Sequence, residues 1–110
     1  MLKSTIDVLT YTIAAADDIQ EGQLVNFADA AAKSTDEVQG VAMHDAKKGE
    51  YLRITAAGLV DLVAGATIAK GQKLAANDTA KPVAIAAGAA SFGIALNDAA
   101  VGGRVSVLIR

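Results

Sequence analysis

The sequence contains no cysteine and no tryptophan, one proline, one histidine and four aromatic residues among 110. Without cysteine there is no disulfide framework, no zinc-thiolate centre and no thiol nucleophile. A surplus of either charge is also missing, because ten Lys and Arg stand against twelve Asp and Glu. Binding to nucleic-acid phosphates draws on clustered cations, which this balance does not supply. No hydrophobic run is long enough to span a bilayer as a helix; the longest uncharged one, residues 82–96, is interrupted by Gly88, Ser91 and Gly93. The opening residues, Met1-Leu2-Lys3-Ser4-Thr5-Ile6-Asp7, lack a basic segment leading into an apolar one, so synthesis in the cytoplasm is expected. At this length one domain buries roughly 65% of its unfolded surface, enough for one modest core.

Alanine occupies 25 positions and glycine ten. Alanine favours helix, yet here it is interleaved with Gly, Thr, Val and Asn, and no stretch sustains an apolar stripe at helical spacing. Period-two alternation is present instead, in residues 51–55 and again in 104–110, where Val105, Val107 and Ile109 share a face. The expected fold is all-β: a small barrel or sandwich of short strands, of the β-clip or β-tulip kind, with an Ala-rich core. A short helical turn near 28–32 or 86–90 is compatible with the local composition.

The chain also repeats itself. Ile19-Gln20-Glu21-Gly22-Gln23 returns 49 residues later as Ile68-Ala69-Lys70-Gly71-Gln72, and Gly40-Val41-Ala42-Met43-His44-Asp45-Ala46 returns 53 residues later as Gly93-Ile94-Ala95-Leu96-Asn97-Asp98-Ala99. The difference of four is placed around 84–90. The expected organisation is an N-terminal arm or first strand, 1–13, followed by one β-domain, 14–110, of two similar halves, about 17–58 and 65–110.

Several residues superficially carry chemistry. Gly65 and Gly71 resemble the glycines of a phosphate loop, but five residues separate them and Gln72 stands where the lysine is required, so a turn is expected. His44 has Asp45 beside it, but adjacent strand residues face opposite ways and its counterpart in the repeat is Asn97, which has no acid–base role; a surface position is expected. Asp17-Asp18 lacks the alternation of a calcium loop and fits a turn. The lysines form no stripe and no aromatic residues interleave with them. Phe27 and Phe92 are expected in the core. No catalytic, cofactor-binding or metal-binding residue is assigned, and neither nucleic acid nor membrane is an expected partner.

At the N-terminus, Ile6 and Val8 fall on even positions, whereas Leu9, Tyr11 and Ile13 fall on odd ones. A straight half-buried strand does not change phase. Either a β-bulge lies at Val8–Leu9, or the first eight residues leave the domain and bury their side chains in another chain.

Ile6-Asp7, Tyr11-Thr12, Ala14-Ala15-Ala16 and Gly22-Gln23-Leu24-Val25 resemble the opening of the capsid decoration, or cement, proteins of tailed phages. Similar in order and spacing are Gln39-Gly40-Val41-Ala42, Gly49-Glu50, Gly58-Leu59-Val60-Asp61-Leu62, Lys70-Gly71-Gln72, Phe92-Gly93-Ile94-Ala95 and Gly102-Gly103-Arg104-Val105-Ser106-Val107-Leu108. The resemblance implies a non-enzymatic virion protein on the capsid exterior, made in the host cytoplasm. It implies the major capsid protein as partner, a homotrimer, no cofactor, and a role in holding the head against the pressure of packaged DNA. Under that reading the arm adds a strand to a capsid-protein sheet, with Ile6, Val8 and Tyr11 as the capsid-contact candidates. The competing reading is a small β-barrel that binds a carbohydrate or other ligand, because the turn 18–24 also looks like one found in such modules.

Overall fold

The computed structural model describes residues 6–34, 36–85 and 91–109, with side chains from Leu9 onward. Eight strands run in order: β1 (Ile6–Ala14), β2 (Leu24–Asn26), β3 (Val38–Ala42), β4 (Tyr51–Val63), β5 (Lys73–Ala76), β6 (Pro82–Ala84), β7 (Gly93–Ala95) and β8 (Arg104–Ile109). They form one antiparallel sheet in the order β2-β3-β4-β8-β7-β5-β6, with β1 paired to β4 outside that path. The sheet curls into a nearly closed barrel: the Leu24 N–H at its β2 end donates to the Ala80 carbonyl, just ahead of β6, at 2.9 Å. Among the described residues there is no helix. Residues 28–32 are turn and bridge, because the Asn26 side-chain carbonyl accepts the amides of Ala28 and Ala30 and holds the chain in a tight reversal. The helical turn considered at 86–90 lies outside the described residues.

β4 organises the barrel. Thr55 pairs with both Thr10 and Val41, and Leu59 pairs with both Ile6 and Leu108. A strand residue has one neighbour on each side, so β1 lies along one edge of β4 while β3 and β8 share the other. The β1–β4 ladder shifts register twice. Asp7 and Leu9 oppose Gly58 and Ala57, which leaves Val8 as an extra residue; Leu9 and Thr10 oppose Ala57 and Thr55, which leaves Ala56 extra on β4. The change of apolar phase at Val8–Leu9 therefore coincides with a bulge, and Ile6 and Asp7 stay paired to β4.

Backbone hydrogen bonds recur along the chain at corresponding positions. Ile19 and Ala46 exchange both bonds, as do Ile68 and Ala99; Gly22 donates to Ala42 and Gly71 to Ala95; Ala15 donates to Glu50 and Ala64 to Gly103. Side chains follow. The Asp45 carboxylate accepts the Glu21 amide and the Asp98 carboxylate accepts the Lys70 amide, each at 2.7 Å. The correspondence extends beyond the boundaries expected from sequence, since β1 pairs Ile13 with Leu52 where β4 pairs Leu62 with Val105 of β8. The four additional residues also lie elsewhere than 84–90. The turn at Asn26, with Asp29 at φ 63°, matches the turn at Asn77, with Ala80 at φ 59°. The β5–β6 hairpin is longer by two residues on each strand, 75–76 and 82–83.

The core divides in two. Ala15, Ile19, Val25, Ala42, Ala46, Leu52 and Ile54 form a small cluster. A larger one joins Val60, Leu62, Ile68, Leu74, Phe92, Val105 and Val107 to Leu24, Ala32 and Val41 from the first half of the chain. Among the described residues, every buried side-chain N or O atom has a hydrogen-bond partner.

Candidate functional site

The sequence candidates Ile6, Val8 and Tyr11 all lie in β1. Among the described residues β1 pairs only with β4, so its outer edge presents unpaired backbone groups. Tyr11 is anchored within the domain: its hydroxyl donates to Gln39 Oε1 at 2.8 Å, while Gln39 Nε2 donates to the Asn26 carbonyl and to Asp29 Oδ1. Partial burial, with Asp29 nearby, raises the Tyr11 pKa above the usual phenol value, so the hydroxyl is a donor at neutral pH.

Around this pair lies an exposed apolar face. Leu9 is exposed two residues before Tyr11 on the same side of β1, and Phe27, expected in the core, is 67% exposed at the tip of the Asn26 turn. The turn accounts for this, because Asn26 caps it from below and leaves position 27 pointing outward. Phe92 is in the core as expected, at 5% exposure. The Asp36 carboxylate accepts from Asn26 Nδ2 and from the Lys33 amide. Those bonds lower the Asp36 pKa. A depressed carboxylate pKa contributes order above its unfolded value and loses it as pH falls through the folded one. Protection of the Lys33 amide from hydrogen exchange is therefore expected to persist through the ordinary carboxylate range and to be lost only as the pH falls below it.

His44 is exposed but not idle. Its Nε2 accepts the Arg53 amide at 3.2 Å, so Nδ1 carries the proton donated to the Asp45 carbonyl at 2.9 Å. Asn97 does the same with an amide: Oδ1 accepts the Ser106 amide at 2.7 Å and Nδ2 donates to the Asp98 carbonyl at 2.8 Å. Imidazole and carboxamide both offer an acceptor and a donor at the required separation. The signal lay in the alignment of His44 with Asn97. His44→Asn is expected to leave stability within about 0.5 kcal/mol of the parent and His44→Ala to cost about 1 kcal/mol, read from urea midpoints.

Two depressions adjoin the turn 18–24. One of about 310 Å³ is lined by Glu21, Val41, Met43, Thr55, Val60 and Asp61, and a neighbouring one of about 360 Å³ by Gln20, Gln23, Asp61, Lys81 and Arg104 among others. The turn 18–24 contributes to both, but neither contains an aromatic ring on which a sugar could stack. Asp18 bonds across to the Lys48 amide, and no group of three metal-ligating side chains occurs among the described residues. Residues 65–73 run through a turn into β5.

A family model described as "Phage cement protein" matches residues 3–110. Among solved structures, the N-terminal base of the head fibre protein gp8.5 of bacteriophage phi29 superposes with a TM-score of 0.74 at 20% identity, covering 93% of each chain. At that identity the likeness establishes the fold. No curated protein sequence matches.

Proposed function

The chain belongs to the phage cement proteins, and from that premise we propose that it decorates the assembled head of a bacteriophage and stabilises it against internal pressure. The observation that carries this is the family match over residues 3–110. The finer reading is a homotrimer, made in the host cytoplasm, on the capsid exterior with the major capsid protein as its partner. The exposed edge of β1 and the segment before it, with Ile6 and Val8, are the proposed capsid contact. Tyr11 is tied into the domain face by Gln39 and belongs with the apolar patch. Support for self-association comes from an apolar fraction of 53% and from the exposure of Leu9, Tyr11, Phe27, Tyr51 and Val101. We also read the chain as two similar units, the first beginning in β1 and the second in the end of β4, on the strength of the recurring hydrogen bonds and strand pairings.

A protein that binds the assembled lattice and not its dissociated subunits shifts the equilibrium toward the intact head by linkage. Decorated heads are expected to rupture at a higher temperature than stripped heads, and adding back the purified protein is expected to restore the difference. The isolated protein is expected to hydrolyse no nucleotide. Equal rupture temperatures would remove the cement role.

A further inference from the structure

We propose that the corner formed by residues 65–67 and 100–103 docks on an acidic side chain of the capsid protein, whose carboxylate accepts the backbone amides of Ala100 and Val101. The proposal rests on the head-binding reading and names a contact apart from the edge of β1. The corner has a counterpart in the first unit, 16–18 with 47–50, built on the same backbone bonds. Ala15 donates to Glu50 and Gly49 to Ala15, as Ala64 donates to Gly103 and Gly102 to Ala64. The turns match as well, since Glu50 donates to Lys47 and Gly103 to Ala100, with Gly49 at φ +89° and Gly102 at φ +81°.

On this common backbone the side chains differ. The first corner carries Asp17, Asp18, Lys47, Lys48 and Glu50, and it caps itself: Asp18 Oδ1 accepts the Lys48 amide at 2.9 Å and Glu50 Oε1 accepts the Lys47 amide at 2.7 Å. The second has Ala66, Thr67, Ala100, Val101 and Gly103 in their places, so every charge is gone and both caps with them. Neither the Ala100 nor the Val101 amide has an acceptor among the described residues, and both residues are exposed, Val101 at 68%. Successive N–H groups in a turn make an anion-binding concavity. The first corner shows which group suits these positions, a carboxylate, and its two oxygens can meet both donors. Arg104, the residue after the corner, supplies the matching sign: it is exposed, and its guanidinium has no partner among the described residues. The capsid is the occupant because of where the corner lies. Ile6 pairs with Leu59, roughly 13 Å along β4 from Val63, and Val63 leads into Ala64 and this corner, so the start of β1 and the uncapped corner share one end of β4. The self-capped corner lies at the other end, beside Tyr51.

Two substitutions close the site without adding charge. Thr67→Asn places an acceptor for the Val101 amide at the counterpart of Asp18, and Val101→Pro deletes that amide at the first central position of a turn whose second has positive φ, where proline is favoured. Amide hydrogen exchange checks the fold and the new protection of Val101 in Thr67→Asn, and co-sedimentation with stripped heads gives the dissociation constant. Each variant is expected to weaken binding at least tenfold. Amidating the surface carboxylates of the heads with a carbodiimide and ethanolamine is expected to weaken the parent similarly, with little further loss for either variant. Asp18→Thr, which uncaps the first corner, is expected to leave binding unchanged. A folded Val101→Pro variant that binds as tightly as the parent overturns the proposal, and so does an equal loss for parent and variants on amidated heads. Failure of the parent itself to bind heads would remove the head-binding reading and this contact together.

Discussion

Alanine at Gly40 or at Gly93 is expected to destabilise the domain by about 1–3 kcal/mol each, and by nearly the sum when both are changed. A Cβ at Gly40 would stand 2.7 Å from the Thr55 carbonyl oxygen, and one at Gly93 would stand 2.7 Å from the Leu108 carbonyl oxygen. Both obstacles are backbone of long paired strands, so relief requires the sheet to move rather than a side chain to rotate. At about 4 °C or more per kcal/mol for a domain near this size, the double variant is expected to lose tens of degrees in Tm or fail to fold. Gly22 and Gly71 provide the contrast. They have φ of +84° and +89° and nothing within 4 Å of an added Cβ, so only conformation opposes a side chain there. Asparagine, which tolerates the left-handed region, is expected to recover much of the loss caused by alanine at Gly22 and none of the loss at Gly40. Urea midpoints for the four variants test this; recovery by asparagine at Gly40 would mean that the close approach is not what excludes a side chain.

These glycines also show what could be read from sequence. Turn glycines and the apolar phase of a strand are local constraints, so Gly22 with Gly71, the alternation of 104–109 and the phase change at Val8–Leu9 all pointed to features that exist. The reach of β4 did not show, because the alternation of 51–55 breaks at Ala56 and Gly58, where a bulge lets the strand continue to Val63. The correspondence of β1 with the end of β4 was equally hidden: strands with the same role share only alternating apolar positions, and Ile13 against Leu62 offers no identity to align. The additional residues of the β5–β6 hairpin were misplaced because an Ala-rich stretch gives no anchor for a gap. Phe27 was misassigned by type, since a large apolar residue is placed in the core unless something forces it out. Here the force is a side-chain cap one residue earlier, the Asn26 carbonyl on the amides of Ala28 and Ala30.

Deletion of residues 1–8 is expected to weaken attachment to heads at least tenfold while leaving the fold and the oligomeric state unchanged. The domain retains the larger part of the β1–β4 ladder without them, because Leu9 through Ala14 keep their partners from Ala57 to Tyr51. What is lost is the part of β1 beyond the bulge together with the residues preceding it, at the end of a strand whose outer edge has no partner among the described residues. An added capsid strand along that edge would satisfy its donors and acceptors and could pack against the side chains it covers. Burying one side chain of the size of Ile6 or Val8 supplies about 1.5–3 kcal/mol, and tenfold in affinity is about 1.4 kcal/mol, so one of the two suffices for the expected loss. Ile6→Asp is accordingly expected to approach the deletion, measured by co-sedimentation with stripped heads over a concentration series. If the truncated chain binds heads as tightly as the full one, the contact must lie on the loops 46–50 and 99–103. Their glycines, Gly49 at φ +89° and Gly102 at φ +81°, hold corresponding turns.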